Sequence, residues 1–260
     1  MIGFLIRKNF YDSWDNMFRI ILLNLGFLIS LAISVFLPVV IPVPAIANAV
    51  FALGLLWCFV YFAAAALSVK TVSDYSGFGF ADFGRNIKAG WPAGLALGIA
   101  VSLLYMMARY TIPFYLGMNS MFGLFLAAVI FWTLVTALLS LQFFFAIRAR
   151  LDTKLIKIFK KCFIIFFDNP GFALFTFFHS VVTLVLSLIT GFLIPGPAGI
   201  ILFWDEALRL RLMKYDWLEA NPEEVPSKKR RKIPWDAILI EEREKTGTRS
   251  LKNFIFPWKD

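Results

Sequence analysis

Long apolar runs separated by short polar stretches dominate the chain. Continuous apolar segments occupy 20–37, 45–69, 92–108, 121–147 and 172–194. Each approaches or exceeds the roughly 20 residues that carry an α-helix across a hydrocarbon layer about 30 Å thick. None alternates with a period of two, so the strands of a lipid-embedded β-barrel, about 10 residues each, are not indicated. The pattern predicts an all-α, polytopic transmembrane bundle with five spans on apolarity alone. A sixth segment, 197–213, is apolar around Asp205, Glu206 and Arg209, and the stretch "LIPGPAG" at 193–199 separates it from the fifth run.

Charge placement decides how the sixth segment is read. Lys and Arg resist translocation when they flank spans in short loops. Arg7, Lys8 and Arg19 precede the first run, Lys70, Arg85 and Lys88 follow the second, and Arg148, Arg150, Lys154, Lys157, Lys160 and Lys161 follow the fourth. The intervening connections, 38–44, 111–120 and 195–197, contain no charged residue. The basic stretches are therefore expected on the cytoplasmic side and the uncharged turns outside. The part beyond 213 carries Lys214 and the run "KKRRK" at 228–232. It falls on the basic side only if 197–213 returns through the membrane. The expectation is six spans, both termini cytoplasmic, and a basic tail over 214–260. Five spans with an external tail and an interfacial last helix is the alternative. Ala45-Ile46-Ala47 resembles a signal-peptide cleavage site, but the first run has 18 residues where such a leader has about 7–15, so it is read as a retained span.

The hairpins resemble one another. Asp15-Asn16 precedes the first span as Asp168-Asn169 precedes the fifth, and Pro42 and Pro195 each follow 27 residues after the Asp. An aromatic amphipathic stretch lies upstream of each pair, and "FADFGRNIKAGWPAG" occupies the corresponding place before the third span. Three hairpins, each preceded by an amphipathic interfacial helix, would form parallel repeats. In the third of these helices Leu155, Phe159, Cys162, Phe163 and Phe166 follow helical spacing, with Lys154, Lys157, Lys160 and Lys161 available to snorkel. Packing on its own protein, lying in the headgroup layer and coupling to a cytoplasmic partner are the readings open to it.

Composition agrees with a membrane protein. Sixty per cent of the 260 residues are apolar and 30 are Phe, more than a soluble core needs. Cys58 and Cys162 stand far apart without a CxxC, so neither a disulfide framework nor a metal site is indicated. One histidine, and no HExxH, GxSxG or phosphate-binding glycine loop, gives catalysis no foothold, and no cofactor is expected. Polar groups inside a membrane are the default functional candidates. Asp205, eight residues past Pro197, is expected near mid-depth, with Arg209 four residues on from Asp205 and three from Glu206, close enough for local ion pairs. These three either close the bundle or form a substrate, ion or proton site. Arg109 is expected to snorkel outward, and Asn24, Asn48, Gln142 and His179 to hydrogen-bond between helices. In the tail, Phe254, Phe256 and Trp258 are expected to dock on the protein, the membrane or a partner. Nucleic-acid binding is not expected of a tethered tail.

The segments "NLGFLISLAISVFLPVVIPVPAIANAVFAL", "FADFGRNIKAGW" and "FFFAIRARLDTKLIKIFKKCFIIFFDNPG" resemble the YesL-like family of bacterial integral membrane proteins over roughly residues 1–195. The resemblance implies a non-enzymatic accessory or scaffold subunit of the cytoplasmic membrane, associated with carbohydrate ABC import and contacting lipid and transporter subunits. It carries over no catalytic residue, and the tail beyond Lys214 departs from it. A stand-alone small-solute or ion transporter using Asp205, Glu206 and Arg209 is the competing expectation.

Overall fold

The computed structural model describes residues 1–221 and 233–247, and every regular element among them is helical. In chain order these are α1 (Ile2–Asp15), α2 (Met17–Phe36), α3 (Pro44–Ser73), α4 (Phe80–Met106), α5 (Ile112–Leu116), α6 (Met121–Leu141), α7 (Phe144–Arg150), α8 (Leu155–Asp168), α9 (Pro170–Ile189), α10 (Gly196–Ala220), α11 (Trp235–Ile238) and α12 (Ile240–Thr246). Five segments are long and apolar enough to cross a membrane: Met17–Val40, Pro44–Ser73, Phe80–Leu116, Met121–Arg150 and Pro170–Ile189. The end of the bundle that holds α1, Ser73 and Arg150 is called proximal below.

The tightest pairing is α3 on α4. Gly90, Gly94 and Gly98 recur every four residues on α4 and seat it against Ala63, Val60 and Phe59 of α3; a Cβ on Gly94 would lie 2.5 Å from the Val60 Cα. Without a hydrophobic drive between helices in lipid, such small-residue contacts supply the dispersion energy that holds a pair together. Further along, Pro113 has no N–H to give to the carbonyl of Arg109 and its ring crowds that carbonyl. The chain relaxes into one π turn, Met107–Thr111, the usual way to absorb such a mismatch.

A separate helix precedes the span at two of the three expected places. α1 and α8 are separate 14-residue helices, each broken from the next at Asp-Asn. Asn169 Oδ1 accepts from the Phe172 amide and starts α9. Before the third span there is no break: α4 runs unbroken from Phe80 through Pro92, which lies inside the helix and leaves the Lys88 carbonyl without its i+4 backbone donor. α8 packs on α6, α7 and α9 through Ile158, Cys162 and Ile165, which are buried, rather than through Phe163. Its outward face mixes Lys157 and Lys160 with exposed Ile156, Ile164 and Phe167.

The largest departure concerns α10. It is not among the five apolar segments, yet it is the most enclosed helix of the bundle, packed by α1, α2, α3, α7 and α9. The "LIPGPAG" turn is not an outer tip level with 38–44. Asn24, the eighth residue of α2, holds it: its Nδ2 donates to the Leu193 and Pro195 carbonyls at 2.9 and 2.8 Å, and its Oδ1 accepts from the Ala198 amide at 2.8 Å. Asn24 lies 12 residues, or about 18 Å, short of the end of α2. Gly196 takes φ +61° there, and a Cβ would meet Asn24 Nδ2 at 2.3 Å, so glycine is required on both counts. The division at 213 also moves. α10 continues to Ala220, Lys214 and Tyr215 both bond Asp168, and α12 packs back against the proximal end. The "KKRRK" run and Phe254, Phe256 and Trp258 lie outside the described residues.

Candidate functional site: a buried ion-pair cluster at the proximal end

Because α10 starts beside Asn24, Asp205 and Glu206 reach the proximal end rather than mid-depth. Asp205 is 1% exposed, and Arg150, the last residue of α7, grips it with Nε and a terminal nitrogen, the Nε bond being 2.8 Å. The same guanidinium bonds Asp74 at 3.0 Å and the Ser73 hydroxyl at 2.9 Å, just where α3 ends. Arg209 pairs with neither acid on its own helix. It donates to the Ser73 carbonyl at 2.7 Å and to Asp74 at 2.6 Å, and its other nitrogen reaches Glu242 of α12 at 2.6 Å. The expected i, i+3 and i, i+4 pairs on α10 therefore do not form. Fork-shaped guanidinium groups satisfy two partners at once, and the carboxylates offered by α3 and α12 lie in better line.

Lys8 completes the cluster from α1. It is fully buried, bonds Asp12 at 2.5 Å and the Ser73 carbonyl at 3.2 Å, and sits 4.0 Å from the centroid of the Tyr75 ring. Burial alone would pull the Lys8 ammonium down, but Glu206 and Asp12 outweigh it and hold its pKa above the ordinary value. Burial likewise pushes Asp74 up, and the Lys70 and Arg150 contacts more than reverse it, leaving Asp74 below the usual carboxylate range. Tyr75 takes a positive φ of 59° just past the end of α3. From there its hydroxyl reaches Glu242 at 2.8 Å.

Glu206 stands apart. It is fully buried, Lys8, Asn9 and Asp12 face it from α1, and among the described residues no hydrogen bond of ordinary geometry reaches its oxygens or Asn9 Nδ2. Burial disfavours the charged form of such an acid.

Of the polar residues expected to bond between helices, Asn24 and Gln142 do so, whereas Asn48 is exposed and His179 meets Thr183 of its own helix at 3.4 Å. Gln142 donates to the Leu139 and Ala173 carbonyls and accepts from Thr176. His179 stacks on Phe203 with ring centroids 3.7 Å apart. Arg109 and Asn48 are exposed. Lys154 precedes the first residue of α8, Lys157 and Lys160 are exposed, and Lys161 bonds Asp152 at 3.3 Å. Among the described residues no group of three or more His, Cys, Asp and Glu is arranged to hold a metal ion. Arg150, Asp74, Lys8 and Glu242 were not legible as site residues. Only the position of Asp74 and Arg150 at the edges of apolar runs could have pointed to them.

Above the cluster lies a cavity of about 540 Å³ walled by α2, α3, α4, α6, α9 and the first turns of α10.

These features define an all-helical protein with five helices suited to a membrane and a charged cluster that ties its last described helix to the bundle. Comparison of the chain with known protein families, with curated proteins and with solved structures found no match.

Proposed function

We propose that the chain is a multi-pass protein of a bacterial cytoplasmic membrane, with its proximal end and both termini in the cytoplasm, acting as a non-enzymatic accessory or scaffold subunit. The resemblance to YesL-like proteins makes a carbohydrate ABC importer the partner to test first. The orientation rests on the distribution of Lys and Arg in the loops. The observation that carries the scaffold reading is the clamp on α12: Glu242, 2% exposed, is held by Arg209 and Tyr75. Arg209 of α10 and Tyr75, just past α3, thereby tie the C-terminal segment to the bundle, with Lys8 of α1 4.0 Å from the same carboxylate. A fixed cytoplasmic face is what a stable subunit contact needs, because a partner then orders little on binding.

Purification from the native membrane in a mild detergent tests this. A stoichiometric second protein is expected, and Glu242→Ala, which frees α12, is expected to shed it while the bundle stays monodisperse. Absence of any stoichiometric partner overturns the reading.

A second reading, a stand-alone solute or ion transporter, is favoured by one observation, the buried Glu206, whose oxygens no hydrogen bond of ordinary geometry reaches among the described residues. It requires that flux into proteoliposomes fall on Glu206→Gln. Asp205→Asn is the weaker test, since it also opens the Arg150 clamp.

A further inference from the structure

The cavity above the cluster has walls that decide what can enter it. Phe27 and Leu31 of α2, Leu97 of α4, Val181 of α9 and Ile201 of α10 are representative, and nearly all of the lining is carbon. Three polar side chains reach it, and each is already satisfied. Gln142 is bonded through both ends of its amide. The Ser180 hydroxyl donates to the Thr176 carbonyl and accepts from the Trp204 indole. An apolar cavity with no open donor or acceptor stays dry and rejects a polar or ionic solute. A sugar or an ion therefore has nothing to hold it here.

Size narrows the choice among apolar occupants. One turn of a helix about 10 Å wide and 5.4 Å high fills roughly 420 Å³. A cavity of about 540 Å³ thus takes little more than one turn of a partner's transmembrane helix, whereas a hydrocarbon chain can thread it along its length. Access points the same way. α2 and α9 both wall the cavity, α2 packs chiefly on α3 and α10, and Val181 and Leu184 of α9 remain exposed at 42% and 45%. The floor is closed by α10, which the Asn24 bonds hold in place.

We propose that this chamber binds one acyl chain of a membrane phospholipid, admitted sideways between α2 and α9. The inference rests on the membrane embedding proposed above but not on any transporter partner. It gives the scaffold a lipid built into its core, filling space that side chains leave empty.

The test uses the full chain in phosphatidylcholine nanodiscs. A phosphatidylcholine carrying a nitroxide near the end of one acyl chain is added, with a nitroxide-labelled free fatty acid in a parallel sample, and spin-label mobility is read by electron paramagnetic resonance. About one strongly immobilised phospholipid probe per chain is expected, as for a single pocket of this size. Val181→Trp, which fills the opening with an apolar ring, is expected to abolish that component. Val182→Trp, on the neighbouring outward face, is expected to preserve it. Leu184→Trp gives the same reading where Val181→Trp does not yield monodisperse protein. No immobilised component, a component unchanged by both filling variants, or immobilisation of the free fatty acid alone overturns the proposal. Co-purification with a transporter subunit is scored separately, so loss of either result leaves the other readable.

Discussion

Replacing Arg150 by Met tests whether the proximal cluster is a clamp. The side chain is 9% exposed and holds Asp205, Asp74 and Ser73 together. Its removal does not harm all three equally. Asp74 keeps Lys70 and Arg209, while Asp205, 1% exposed, loses its only ion-pair partner among the described residues. Stranding one member of a buried pair costs about 3–5 kcal/mol. Asp205→Asn leaves Arg150 with two of its partners and is expected to cost less, about 1.5–3 kcal/mol, the worth of hydrogen bonds to a charged group. In the double variant the stranded carboxylate is gone, so it should be no less stable than Arg150→Met alone. The single effects should therefore fail to add, with a coupling at least as large as the Asp205→Asn cost, about 1.5–3 kcal/mol. Thermal unfolding of such proteins is commonly irreversible, so the cycle is best measured by reversible denaturant titration in mixed micelles. Additivity within about 0.5 kcal/mol refutes the clamp.

Three further outcomes follow from named contacts. Gly94→Leu drives a side chain into the α3 backbone, where a Cβ already meets the Val60 Cα at 2.5 Å; it is expected to abolish monodisperse expression, while Gly84→Leu, with open space around it, leaves size-exclusion profiles unchanged. Asn24→Ala strands the two carbonyls and the amide of the α10 turn and is expected to cost about 1–3 kcal/mol in the same micelle titration, whereas exposed Asn48→Ala costs nothing measurable. The cluster also sets a pH window. Asp74 is depressed when folded, so its stabilisation is present above the unfolded carboxylate pKa and is lost as pH falls through the lower folded value. Lys8 is raised, so its share is present below the unfolded lysine pKa and is lost as pH rises through the higher folded one. Stability is expected to be flat between about pH 5 and 9 as far as these two groups are concerned, and a loss step inside that window in denaturant titrations of Glu206→Gln, which has no titrating carboxyl at that position, would contradict the assignment.

The five spans were legible because run length is a local property: about 20 apolar residues need no knowledge of the rest of the chain. The breaks at Asp15-Asn16 and Asp168-Asn169 were legible for the same reason, since short polar side chains compete with the helix for its own backbone groups. What failed was every inference that needed a distant partner. Asn24 read as a lone polar residue because the carbonyl it holds, Leu193, lies 169 positions away. Arg209 was assigned to Asp205 and Glu206 because helix geometry brings them near, yet Asp74 and Glu242, 135 and 33 positions distant, take it instead. Arg150 and Lys8 entered only as orientation charges. Short spacing identifies which pairs can form, and competition from elsewhere in the fold decides which do.

That competition also explains why the most charged long helix is the most enclosed. Facing lipid, α10 would strand its acids and guanidinium groups in hydrocarbon, each at a cost of several kcal/mol. At the centre of five packed helices the same groups meet opposite charges offered by the ends of α1, α3, α7 and α12, where apolar runs stop. The two halves of α10 accordingly do different work. Pro197, Ile200, Ile201 and Trp204 face the apolar chamber, and the next residue, Asp205, begins the ion-pair cluster. One helix thus joins the chamber to the clamp on the C-terminal segment.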